Sequence, residues 1–293
     1  MFYRRKVILA LLQIFDGELE KIRLQKLLFL FTKRQENPEY EFIPYRFGCY
    51  SYSANADLTA MSNKGWLVET NNHFRSNETT DYFKTLKEQD KQALRTVKSL
   101  YGAMNGSALM KHTYVNYPYY AINSTKASSI LNAHELTKVH QCKHTGSETI
   151  LFTIGYEGIS LEEYLNRLLK NDIKILVDVR CNPLSMKYGF SKGQLKKFCE
   201  NIEIEYLHLP ELGITSDKRQ QLNCQLDYDK LFVAYRKNLT NLEGSKLKIL
   251  ELLNQYERIA LTCFESNICQ CHRKHLAEAV ESLPSFKYEV RHI

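Results

Sequence analysis

Residues 149–293 alternate between short unbroken apolar runs and amphipathic helical stretches, and this rhythm narrows the fold most. "ETILFTIGYE" leads into "SLEEYLNRLLK", then "IKILVDVR", "SKGQLKKFCENI" and "IEYLHLP". One or two helices fill 227–256, and "RIALTCFE", "CHRKHLAEAVESL" and "FKYEVRHI" complete the series. A strand that is apolar at nearly every position is buried on both faces. Parallel strands also need a long crossover, usually a helix, between them. The expected fold is therefore a Rossmann-like, three-layer α/β domain with a mostly parallel sheet.

The first half has a different period. "RKVILALLQIF" and "KIRLQKLLFLFTKRQ" place apolar residues at helical spacing. "SANADLTAMSNKG" reads as a helix capped by Ser53 and ended by Gly65, and "WLVETNNHFRS" as a hairpin around Asn71–Asn72. A helix followed directly by a hairpin suggests a mainly helical, winged-helix-like domain. "TDYFKTLKEQDKQALRTVKSLYGAM" adds another helix, and "SALMKHTYVNYPYYAINS" closes the domain. The expected division is 1–139, a linker at 140–148 where composition turns polar, and 149–293. "HQCKH", with His140, Cys142 and His144, fits no zinc spacing and reads as solvated linker.

Charge and cysteine usage limit the partners. The chain carries +7 overall. Residues 1–148 hold 20 lysines and arginines against 14 acids, so nearly all the excess lies there. Such a surface permits contact with nucleic acid, although a mildly basic surface alone would look the same. Eight cysteines scattered through 293 residues argue for reduced thiols rather than a disulfide framework. The longest apolar stretch, "KVILALLQIF", is too short to span a bilayer, and "MFYRRKVILALL" continues as helix without a small-residue cleavage site. A cytoplasmic protein without membrane contact is expected, with an oligomer of identical chains left open.

Open parallel sheets collect ligands beyond the carboxyl ends of their strands. Those ends carry Gly155, Tyr156 and Glu157; Asp178, Arg180 and Ser185; His208 and Glu211; then Glu265, Cys271, His272 and Arg273. In this order "TIGYEG", "LVDVRCNPLS", "YLHLPELG", "LTCFE" and "CHRKHLAE" resemble the domain of unknown function 488 family over about 150–293. The family pattern falls on Gly155 and Tyr156, Asp178 and Arg180, and His208, Pro210, Leu212 and Gly213. It ends on Cys263 and Glu265, then Cys271, His272 and Arg273. Tyr156 stands where many members have His, so it is given no acid–base role. "LQKLLFLF", "FGCYSYSANADLTAMSNKGWL" and "YVNYPYYAINS" look like pieces of a winged-helix module, and over about 1–125 the chain is similar to Panacea-type antitoxin domains, which implies a bacterial stress or phage-defence setting.

Three chemistries suit these residues. An anion cradle would use Arg180 and Arg273 on a phosphate at a helix N-terminus. A reactive thiol would be Cys271, with its pKa lowered by the helix start, His272 and Arg273. Zinc would draw on Cys263, Cys269, Cys271 and His272, but the adjacency of Cys271 and His272 weighs against it. The cradle is preferred. Asp178, His208, Glu265 and Cys271 are assigned to catalysis. Gly155, Tyr156, Glu157, Arg180, Ser185, Glu211, His272 and Arg273 are assigned to ligand binding, and no metal or cofactor is assigned. The expectation is an enzyme acting on a nucleotide or nucleic acid. A non-catalytic ligand sensor and a rhodanese-like thiol enzyme remain alternatives.

Overall fold

In the computed structural model, which describes residues 1–215, 217, 222 and 224–293, the chain forms two units, Met1–Lys143 and His144–Ile293. The first begins with α1 (Tyr3–Ile14), β1 (Glu18–Glu20) and α2 (Lys21–Thr32). Val7–Leu12 of α1 and Leu24–Thr32 of α2 are buried continuously. Helices buried around their whole circumference lie inside, and the apolar residues of these two supply the centre of the core, with Gln25, Lys26 and Thr32 of α2 buried among them. A hairpin, β2 (Ile43–Tyr45) and β3 (Gly48–Tyr50), precedes α3 (Tyr52–Asn63). The cap of α3 is Ser51, which accepts from the Ala54 amide, rather than Ser53. Gly65 follows the helix with a positive φ of 75°, as its ending role requires.

The hairpin around Asn71–Asn72 forms as β4 (Leu67–Glu69) and β5 (His73–Ser76), and β1 joins it to give the antiparallel order β1-β5-β4. The unit then adds α4 (Glu88–Tyr101), α5 (Gly106–Asn116), α6 (Ala127–Ile130) and α7 (Ala133–Cys142). A reciprocal cap between Asn132 and Glu135 starts α7. That helix carries the chain to Cys142, inside the stretch read as linker.

The second unit alternates as its sequence demands: β6 (Ile150–Gly155), α8 (Leu161–Lys170), β7 (Ile175–Asp178), α9 (Lys192–Glu200) and β8 (Glu205–His208). Then come α10 (Gln225–Leu239), α11 (Glu243–Tyr256), β9 (Arg258–Cys263), α12 (His272–Glu281) and β10 (Glu289–His292). All five strands are parallel, in the order β10-β6-β9-β7-β8. Every residue of β6, β7 and β9 is buried. β8 at the edge is partly exposed. Ile259 and Leu261 pack with Leu253 of α11 and Leu276 of α12. Truncating one such fully buried side chain costs about 2–5 kcal/mol. Among the described residues, no helix is long and apolar enough to cross a membrane.

Register sets the site. Gly155 lies opposite Cys263, and Asp178 lies opposite both Thr262 and His208. The carboxyl ends of β6, β9, β7 and β8 therefore finish at one level on adjacent strands.

Candidate functional site

Asp178, the last residue of β7, is fully buried and accepts four hydrogen bonds. They come from the Arg180 amide (3.1 Å), Arg180 Nε (2.8 Å), an Arg180 terminal nitrogen (2.5 Å) and the Tyr206 hydroxyl (2.6 Å). The other terminal nitrogen of Arg180 donates to the Tyr156 hydroxyl and the Phe190 carbonyl, each at 2.8 Å. Burial alone would lower the guanidinium's pKa; its bonds to Asp178 outweigh that and raise it. Four of the five N–H groups of Arg180 are thus committed within the protein. Tyr156 in turn stacks flat on Phe190, with centroids 4.2 Å apart.

Arg273 is also turned inward. It is buried in the first turn of α12 and donates to the backbone carbonyls of Glu265 and Ser266. Its Nε is buried without a hydrogen-bond partner. Gly155 sits beneath this bridge: a Cβ there would collide with the Glu265 carbonyl, so only glycine lets the loop after β9 cross so closely. Glu157 holds the same loop from outside, accepting from the Ser266 amide (3.0 Å) and hydroxyl (3.2 Å).

His208 closes β8. Its Nε2 donates to the Arg180 carbonyl (2.8 Å), because a carbonyl only accepts. Its Nδ1 lies 2.9 Å from the Lys192 ammonium, where it can accept. Ser185 bonds around Ser191 and Lys187 in the loop after β7. Glu211 lies apart and accepts from Ser245.

The cysteines form a separate knot. Cys263, Cys271 and His272 are at most 1% exposed, and Glu265 is partly exposed beside them. Cys263 Sγ lies 3.1 Å from Glu265 Oε2 and 3.6 Å from His272 Nδ1. His272 Nε2 donates to the Val179 carbonyl (3.1 Å). Burial pushes the Cys271 thiol's pKa up, helped by its hydrogen bond with Cys263 and by the charges of Cys263 and Glu265; Arg273 opposes this. The shift is opposite to the one a helix start would give. Cys269 is exposed and outside the knot.

Two cavities open at these strand ends. One of about 280 Å³ is lined by Tyr156, Arg180, Ser185, Met186, Cys263 and Phe264, among others. A second, of about 240 Å³, includes Glu211, Pro210 and Tyr235 and shares Cys181 and Ile214 with the first. The structure thus brings Tyr156, Arg180 and Ser185 to one cavity, and Glu211 to its neighbour. Asp178, Arg273 and His272 stand behind the walls. Sequence reasoning missed Cys181, Met186 and Phe264. Their signal was position alone: Phe264 lies one residue past β9, and Cys181 and Met186 lie three and eight past β7.

Residues 160–280 match a family described as "Domain of unknown function DUF488". No curated protein matches the chain.

Proposed function

The C-terminal unit is a DUF488 domain, and from that premise we propose that its strand-end cleft binds a nucleotide, free or within a nucleic acid, and acts on it as an enzyme. The observation that carries this is the composition of the 280 Å³ cavity. Its lining includes the polar Arg180, Asn182 and Ser185 together with Leu184, Met186 and Phe264, three large apolar side chains left exposed. Large apolar side chains left in water around a polar cleft mark a ligand site. A flat ring stacked on Phe264 would gain about 1–3 kcal/mol. Arg180 then meets the ligand from the cavity lining, and Arg273 adds positive potential from behind it. Glu265, two residues past the cavity-lining Cys263, and His208, bonded to the Arg180 carbonyl, are the proton-handling groups of this reading, and Asp178 holds Arg180 in place. Enclosure of Cys271 speaks against a rhodanese-like thiol reaction. Residues 1–143, which hold nearly all the net positive charge, serve as the recognition module; a defence setting rests on the Panacea resemblance alone.

The test is mass spectrometry of small molecules released from the purified chain, followed by titration with nucleoside phosphates and short single strands. The reading predicts saturable binding, weakened about tenfold or more by Phe264→Ala. It fails if nothing in the panel binds, or if Phe264→Ala changes nothing. Because both arginines are largely satisfied by the protein itself, a non-catalytic sensor is the second reading. Binding with no product formed would select it.

A further inference from the structure

We propose that Cys263, Glu265, Cys271 and His272 form a binding site for a borderline-soft divalent cation, in the first instance zinc. This holds whatever the cleft takes as ligand. One donor atom from each of the four residues lies within 4.8 Å of all the others. Tetrahedral zinc, with Zn–S near 2.3 Å and Zn–N or Zn–O near 2.0 Å, spaces its donors about 3.3–3.8 Å apart. The Cys263–His272 pair at 3.6 Å already matches that spacing, the Cys263–Glu265 pair at 3.1 Å must open slightly, and no pair must close by more than about 1 Å. Thiolate, imidazole and carboxylate are each ligands this ion takes.

The surroundings resemble a prepared metal site more than a packed cysteine cluster. His272 spends its Nε2–H on the Val179 carbonyl. The Nδ1 lone pair is therefore aimed at the other donors, with the outer hydrogen bond that metal-bound histidines usually have. Three donors are shielded from water, while Glu265 is partly exposed. Cys263 also lines the 280 Å³ cavity. On binding, each thiol gives its proton to solvent, so two thiolates, one carboxylate and Zn²⁺ leave one negative charge. The buried guanidinium of Arg273, braced on the Glu265 and Ser266 carbonyls, is placed to offset it.

The adjacency of Cys271 and His272, awkward in the sequence, is resolved by the backbone. Cys271 is extended (φ −123°, ψ 134°), and His272 begins the helix. The chain turns between them, so the two side chains reach the same point. With zinc bound, Glu265 becomes a ligand, and His208 is left as the proton carrier in the reading above.

The experiment is metal analysis of the full, tag-free chain after zinc loading and dialysis, with parallel loading by cobalt(II). The expected result is one metal per chain. The cobalt form should show the strong near-ultraviolet thiolate-to-cobalt band and the visible bands of a tetrahedral ion. Cys269→Ser should keep both. Cys263→Ser and Cys271→Ser should lose both. Since those buried positions can also fail to fold, Glu265→Gln, at a partly exposed position, is the second variant. It should keep its circular dichroism and weaken zinc binding about tenfold or more. A folded wild-type chain that retains no zinc and gives no cobalt band overturns the proposal. So does metal held equally well by folded Glu265→Gln and the cysteine variants.

Discussion

Replacing Asp178 with Asn tests the idea that Arg180 braces the site. Asn keeps the shape and removes the charge. The Arg180 guanidinium, 6% exposed, would then stay buried without its counter-ion. Two of its bonds, at 2.5 and 2.8 Å, now end on that carboxylate, as does the Tyr206 hydroxyl. Breaking a buried pair from one side costs about 3–5 kcal/mol. For a unit of this size, that lowers the melting temperature by about 6–20 °C. Urea unfolding followed by far-ultraviolet circular dichroism measures the loss. Trp66 is the sole tryptophan and lies in the first unit. Its fluorescence should show that unit unfolding near its wild-type midpoint. Removing both partners, Asp178→Leu with Arg180→Met, should recover most of the loss, because no lone charge remains. A cost below about 1 kcal/mol, or a change confined to the Trp66 signal, would refute the reasoning.

Gly155→Ala should lower the stability of the same unit by about 1–3 kcal/mol, the usual cost of overpacking, since its Cβ meets the Glu265 carbonyl; unchanged urea unfolding would show that the loop gives way freely. Native alkylation followed by mass spectrometry should label Cys224 and Cys269 first and spare Cys49, Cys199, Cys263 and Cys271; early labelling of Cys271 would contradict its enclosure. Burial lowers the pKa of the Lys26 ammonium, which donates to the Cys49 carbonyl. The unfolded chain therefore holds that proton more tightly, and stability rises with pH between the lowered value and the ordinary 10.5. Urea midpoints of the Trp66 transition from pH 7 to 10 should show this rise, and Lys26→Met should flatten it; equal slopes in the two proteins would contradict it.

The parallel sheet was legible because its code is local. Ile150–Gly155 and Arg258–Cys263 are buried at every position, and an unbroken apolar run states that directly. The hairpin at Asn71–Asn72 was equally local. Register then aligned the strand ends without further information. Side-chain partners were another matter. Nothing near Arg180 in the chain shows that Tyr156, 24 residues earlier, and the Phe190 carbonyl would occupy its guanidinium. The phosphate grip assumed for it depended on those donors being free. α7 was legible in its Asn132-x-x-Glu135 cap, but the polar composition of 123–148 hid it. The cysteine–histidine knot follows no paired spacing, because the bend at Cys271, not the interval between residues, gathers its donors.

Amide hydrogen exchange on the full chain, with and without a bound nucleotide, bears most directly on the strand-end cleft. The account predicts protection that saturates with ligand at 181–188, after β7, and at 263–266, after β9. Protection confined to 1–143, or none at the concentration that saturates binding, would contradict it.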